Sequence, residues 1–124
     1  KIIWMHAASL GEYEQGVPVL EKLKQKFPSH KILITFFSPS GLENVINKKN
    51  IADAICYLPF DLKGCVEDFT SQFQTEIFFT VKYDYWYNLL SHLKKIVLKP
   101  TLFLHYFMKS KSFSNPTEVF LEKI

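Results

Sequence analysis

Five short apolar runs, at 2–5, 31–37, 54–58, 76–81 and 101–105, are separated by amphipathic segments along the whole chain. Each run is rich in Ile, Phe, Val or Tyr and is continuous rather than alternating, which suits strands buried on both faces of a parallel sheet. The spacing between runs is that of a strand, a crossover helix and the next strand. Helical spacing fills the gaps. Val17, Leu20, Leu23 and Phe27 line one face of a first helix, in which Pro18 fits only within the first turn. Leu42, Val45 and Ile46 form a second, and Val66, Phe69 and Phe73 a third after Gly64. Trp86, Leu89, Leu90 and Leu93 form a fourth at i, i+3, i+4, i+7. Asn115-Pro116 with Glu118 reads as the start of a last helix. The expected fold is α/β, a Rossmann-like, open, doubly wound parallel sheet of about five strands.

At 124 residues the chain has the length of one such domain, spanning 1–124, and leaves no room for two. Its 48% hydrophobic content excludes a disordered chain. The longest uncharged stretch, residues 32–42, falls well short of the ~20 apolar residues of a membrane-spanning helix. All 15 basic residues are Lys, for a net charge of +3, and they form no long tract. Nucleic acid is therefore not an expected partner, because bidentate base and phosphate contacts favour Arg. Attraction to an anionic membrane surface is compatible with this balance. Cys56 and Cys65 read as free thiols, and no metal site is expected.

In doubly wound sheets, ligands collect at the carboxyl ends of the strands. The loops there are residues 6–12, 38–41, 59–61, 82–88 and 105–111, where small and polar residues concentrate. The opposite edge carries Lys24, Ser29, His30 and Lys49, read as solvated groups. In the first loop, Ala7-Ala8-Ser9-Leu10-Gly11-Glu12 leads from strand to helix. Its small residues allow close approach of a ligand to the unpaired N–H groups of the helix start. Glu12 either accepts a proton from a bound hydroxyl or simply complements the positive helix end. Ser38-Pro39-Ser40-Gly41 either caps the second helix or cradles an anion. Lys82 and Asp84 at a strand end pair with each other or meet a ligand, and Asn88 bonds backbone or ligand. His6 and His105 lie at strand ends without a partnered nucleophile. Both the dinucleotide and the P-loop fingerprints are absent.

Three of these runs resemble one family together. They are Trp4-Met5-His6-Ala7-Ala8-Ser9-Leu10-Gly11-Glu12, Phe36-Phe37-Ser38-Pro39-Ser40-Gly41, and Lys82-Tyr83-Asp84-Tyr85-Trp86-Tyr87-Asn88. The chain, from residue 1 to about 104, resembles the amino-terminal domain of 3-deoxy-D-manno-octulosonic acid (Kdo) transferases, in the branch found in Bacteroidetes-type bacteria. The resemblance implies the amino-terminal half of a GT-B fold and an inverting glycosyltransferase. Its reaction would move Kdo from CMP-Kdo to the lipid A precursor, at the cytoplasmic face of the inner membrane. It implies Glu12 as catalytic base. Ser9, Gly11, Ser38, Ser40, Gly41, Lys82, Asp84 and Asn88 are the expected substrate-binding residues. No metal or cofactor is implied. The CMP-sugar site would belong to a carboxy-terminal domain outside this chain, so the chain alone is expected to be inactive. Asp84 stands where relatives usually have Glu, Tyr87 where many have Pro, and the match fades after Leu104. The competing reading is a non-catalytic, flavodoxin-like regulatory module with Asp61 as phosphoacceptor.

Overall fold

A computed structural model describes residues 1–81 and 87–96. Four strands, β1 (Ile2–Ala7), β2 (Lys31–Phe36), β3 (Ala54–Tyr57) and β4 (Thr75–Thr80), alternate with four helices. The helices are α1 (Leu10–Lys26), α2 (Pro39–Ile46), α3 (Lys63–Ser71) and α4 (Tyr87–Ile96). The sheet is parallel throughout, in the order β3-β2-β1-β4. The apolar run at 101–105, the helix start at Asn115-Pro116 and His105 lie outside the described residues.

Period-two alternation splits the core into two layers. Ile3, Met5 and Ala7 of β1 pack with Ile32, Ile34, Phe36, Ile77 and Phe79 against Val19, Leu20 and Leu23 of α1 and Val45 of α2. Trp4, Leu33 and Phe78 face the other way, against Val66 of α3 and Leu89 and Leu93 of α4. There the Trp4 indole meets the rings of Phe69, Phe73 and Phe78 with centroids 4.9–5.6 Å apart. The sheet is thus covered on both faces, which is why its strands read as continuous apolar runs. After β3 the chain crosses to the far side of β1 and changes face. The topological switch point therefore lies between β1 and β4, and the crevice expected for ligands opens at their carboxyl ends.

Three local expectations change. Pro18 does not sit in a first turn: α1 begins at Leu10, and Pro18 lies on its exposed side in the interior. The missing N–H deprives only the carbonyl of Glu14, itself an exposed residue that water can serve. Ile46 is 47% exposed at the end of α2 rather than part of its buried face. His30 is buried at the amino edge and not solvated. Its Nε2 donates to Glu76 Oε2 at 2.8 Å, where the β1–β4 register shifts between Ile2 and Ile3. Lys24 Nζ donates to the His30 carbonyl at 2.7 Å.

Candidate functional site

Residue Ser9, two residues beyond β1, has an extended backbone (φ −144°, ψ 170°) and N-caps α1. Its hydroxyl accepts from the Glu12 N–H at 3.4 Å. The Glu12 carboxylate folds back in turn, and its Oε2 accepts from the Ala8 N–H at 2.6 Å. This is a close relative of the capping box, displaced by one residue, because the carboxylate reaches the residue before the cap rather than the cap itself. The box leaves Glu12 only 8% exposed. The helix-end role of Glu12 is therefore present, and it orients the carboxylate at the carboxyl edge of β1.

The second loop is tied to the first. The Ser38 N–H donates to the Ala8 carbonyl at 3.0 Å, which brings the starts of α1 and α2 side by side. Gly41 serves this approach: a Cβ there would lie 2.6 Å from the Phe36 ring and 3.3 Å from the Leu10 nitrogen. Ser38 is the N-cap residue of α2, but its side chain makes no capping bond. Its hydroxyl instead pairs with that of Ser40 at 2.8 Å on the exposed side. Gly11 differs from Gly41, since a Cβ on it would meet nothing within 4 Å. The structure thus brings Ser9, Gly11, Glu12, Ser38, Ser40 and Gly41 to one stretch of the carboxyl edge. Lys82 and Asp84 lie outside the described residues.

Beneath this edge His6 is fully buried. Trp4 Nε1 donates to the Thr35 hydroxyl at 2.8 Å, and that oxygen lies 3.0 Å from His6 Nδ1. Burial pushes the imidazole down to about 4, with a smaller opposing contribution from the Thr35 backbone. His6 is therefore neutral near pH 7, a structural group under the site.

Two contributions were not read from the sequence. Asp61, in the loop after β3, accepts from the backbone N–H of Leu89 through Oδ1 at 2.8 Å and from that of Asn88 through Oδ2 at 3.1 Å. The Asn88 side-chain amide donates back to the Asp61 carbonyl at 2.6 Å. Asn88 is thereby placed at the carboxyl edge with its Nδ2 committed to backbone. Both Asp61 oxygens are engaged at a helix start, an arrangement that does not suit a phosphoacceptor. Gly16 is the second. A Cβ there would fall 2.5 Å from Met5 Sδ and 2.8 Å from Val81 Cγ2, so only glycine lets α1 lie this close to the sheet. A glycine in mid-helix was the available signal for Gly16. Nothing local marks Asp61, whose partners lie 27 and 28 residues away.

Among the described residues, no group of three His, Cys, Asp or Glu side chains is placed to hold a metal ion. None of the described helices is long and apolar enough to cross a membrane.

Residues 1–117 match the family described as 3-deoxy-D-manno-octulosonic-acid transferase. A transferase of that name from Aquifex aeolicus is 32% identical over 92 residues, which are 74% of this chain and 25% of the relative. One from Haemophilus influenzae is 33% identical over 93 residues, 73% of this chain and 21% of the relative. A probable mitochondrial transferase of the same name from Arabidopsis thaliana is 25% identical over 112 residues, 90% of this chain and 25% of the relative. The chain spans about a quarter of the length of these curated relatives. Carrying the family's match over nearly its whole length on a doubly wound parallel sheet, this chain belongs to the 3-deoxy-D-manno-octulosonic-acid (Kdo) transferase family.

Proposed function

We propose that this chain is part of the acceptor side of an inverting Kdo transferase, with Glu12 as general base. In this reading a hydroxyl of the lipid A precursor attacks the anomeric carbon of CMP-Kdo. The new C–O bond forms as the bond to the phosphate of CMP breaks, and CMP leaves with that electron pair. The hydroxyl proton passes to the Glu12 carboxylate. The observation that carries the reading is the orientation of that carboxylate at the carboxyl edge by the Ala8 N–H. That bond occupies Oε2 and pre-aims the group, so that no reorientation is needed as the proton moves.

Ser9 and Gly11 let the acceptor approach the two helix starts, which Gly41 packs side by side, and the paired hydroxyls of Ser38 and Ser40 meet its anionic head together with Lys82. Asp84 and Asn88 complete the binding side. Contacts to the leaving CMP belong to sequence outside this chain, so these 124 residues alone do not turn over. Phe37, Tyr57, Phe60, Leu62 and Tyr87 are 45–82% exposed around the same edge. Such a rim, on a chain of net charge +3, suits a lipid acceptor presented at an anionic membrane surface. The cytoplasmic face of the inner membrane is the matching location.

Glu12→Gln tests the base. Gln still accepts from the Ala8 N–H through its amide oxygen, so the cap and the fold are retained. In the longest polypeptide that carries this sequence, kcat for Kdo transfer is expected to fall by about 10²–10⁴-fold. Circular dichroism and the melting temperature should stay unchanged. Near-normal transfer by the folded variant would remove Glu12 from the chemistry.

A further inference from the structure

At the amino edge of the sheet the β1–β4 ladder carries one extra residue. Ile2 pairs with Thr75 but Ile3 pairs with Ile77, so Glu76 is the residue left over. Such a bulge re-aims the side chains around it. Glu76 turns to His30. Thr75 shares the face of its partner Ile2, which packs with Trp4 and Phe78 in the α3/α4 layer. Without the bulge, Thr75 would alternate onto the face of Ile77, in the α1/α2 layer. Thr75 is 4% exposed, and its hydroxyl has no hydrogen-bond partner among the described residues. It lines a cavity of about 310 Å³ that opens between α3 and α4. The hydroxyls of Thr70 and Ser71 on the same wall are spent on the carbonyls of Val66 and Asp68. Phe73 and Ile96 give it apolar surface, while Glu67, Gln74 and His92 also line it but reach solvent.

We propose that this cavity binds a small, largely apolar molecule carrying one hydroxyl or carbonyl, which the Thr75 hydroxyl meets. The volume lies within the range of ligand cavities, about 300–1,000 Å³, and apolar walls with few polar groups are their usual lining. Water fills such a space poorly. A buried water needs about two to four polar partners, and the inner wall offers one hydroxyl. An apolar ligand that displaces loosely held water gains affinity, and one that also bonds Thr75 satisfies a group otherwise buried alone. The six residues of β4 put the cavity roughly 20 Å from the carboxyl edge, so this site is separate from the acceptor-side reading and does not rest on it.

The test uses 2-phenylethanol and ethylbenzene, which differ by one hydroxyl, with wild type and Thr75→Val in the longest polypeptide that carries this sequence. Isoleucine-methyl NMR reads the titrations. Both probes should shift the Ile96 methyl saturably and leave that of Ile34, in the other layer, unmoved. Thr75→Val should weaken 2-phenylethanol by about three- to tenfold, the value of one hydrogen bond. Ethylbenzene should bind the variant at least as tightly as it binds wild type. Without a probe, Thr75→Val should melt no lower than wild type, because Val keeps the shape and removes only an unpaired hydroxyl. Absence of any Ile96 shift would overturn the proposal, as would equal affinity of the two proteins for 2-phenylethanol. A lower melting temperature or a failure to fold in Thr75→Val would give the hydroxyl a partner within the protein, and would overturn it too.

Discussion

Ser9 accepts from the Glu12 N–H and the Glu12 carboxylate from the Ala8 N–H at the start of α1, so the same two side chains serve the local fold and the proposed chemistry. Their spacing, Ser-x-x-Glu before an apolar run, is visible in the sequence because a capping box is local. The glycines separate the two demands better. Gly16 faces Met5 and Val81 at distances no Cβ tolerates, whereas Gly11 faces open space. Gly16→Ala is therefore expected to cost about 1–3 kcal/mol through overpacking. Gly11→Ala should add about 0.4–1 kcal/mol by restricting the unfolded chain. Urea unfolding of both variants checks the signs. If a substrate approaches the first turn of α1 as proposed, Gly11→Ala also lowers Kdo transfer while raising stability, a combination that packing cannot produce. Equal destabilisation by the two substitutions would contradict the geometry.

Among the elements, the four described strands were legible to within two residues at their ends, because a largely buried strand leaves an uninterrupted apolar run. The helices were legible by their stripes but not by their ends. In α1 the stripe of Val17, Leu20, Leu23 and Phe27 shifted, with Val19 buried and Val17 only half-buried. Pro18 had suggested a later start, yet the cap at Ser9 and the burial of Leu20 and Leu23 carry the helix through it. Tertiary packing outweighs one lost hydrogen bond whose acceptor can reach water. Pro18→Ala restores that bond at an exposed site and is expected to raise stability by about 2–2.6 kcal/mol, the interior penalty of Pro less its unfolded-state benefit. Thermal unfolding measures it. A lower melting temperature would mean that the proline sets a bend on which the packing of α1 depends. In α4 the stripe was plain, but the cap was not, since Asp61 arrives from a loop remote in sequence.

At the scale of the whole molecule, burial of a titratable group makes stability depend on pH. His6 has a folded pKa of about 4 against 6.5 for the free side chain. The unfolded chain therefore binds the extra proton between these values. The His6 contribution is complete above pH 6.5, falls as pH drops through that window, and is exhausted below about 4. At 1.36 kcal/mol per unit, the loss is on the order of 3 kcal/mol. Urea unfolding at pH 7.5 and 4.5 should show this drop in the wild type and a smaller one in His6→Asn. Equal drops would assign the acid sensitivity to other groups.

The α/β class, the parallel pairing and the location of the carboxyl edge all follow from the order and continuity of apolar runs, because each reports burial along a single strand. The two helix starts of the candidate site, residues 9–12 and 38–41, follow from the same local grammar of caps and small residues. Contacts between elements far apart in sequence do not leave such a trace. The burial of His30 against Glu76, the close approach at Gly16, the Trp4–Thr35–His6 network and the clamp of Asp61 on α4 each depend on strand order and register. Their partners lie tens of residues apart, and no periodicity in a single segment encodes which side chain the fold brings opposite.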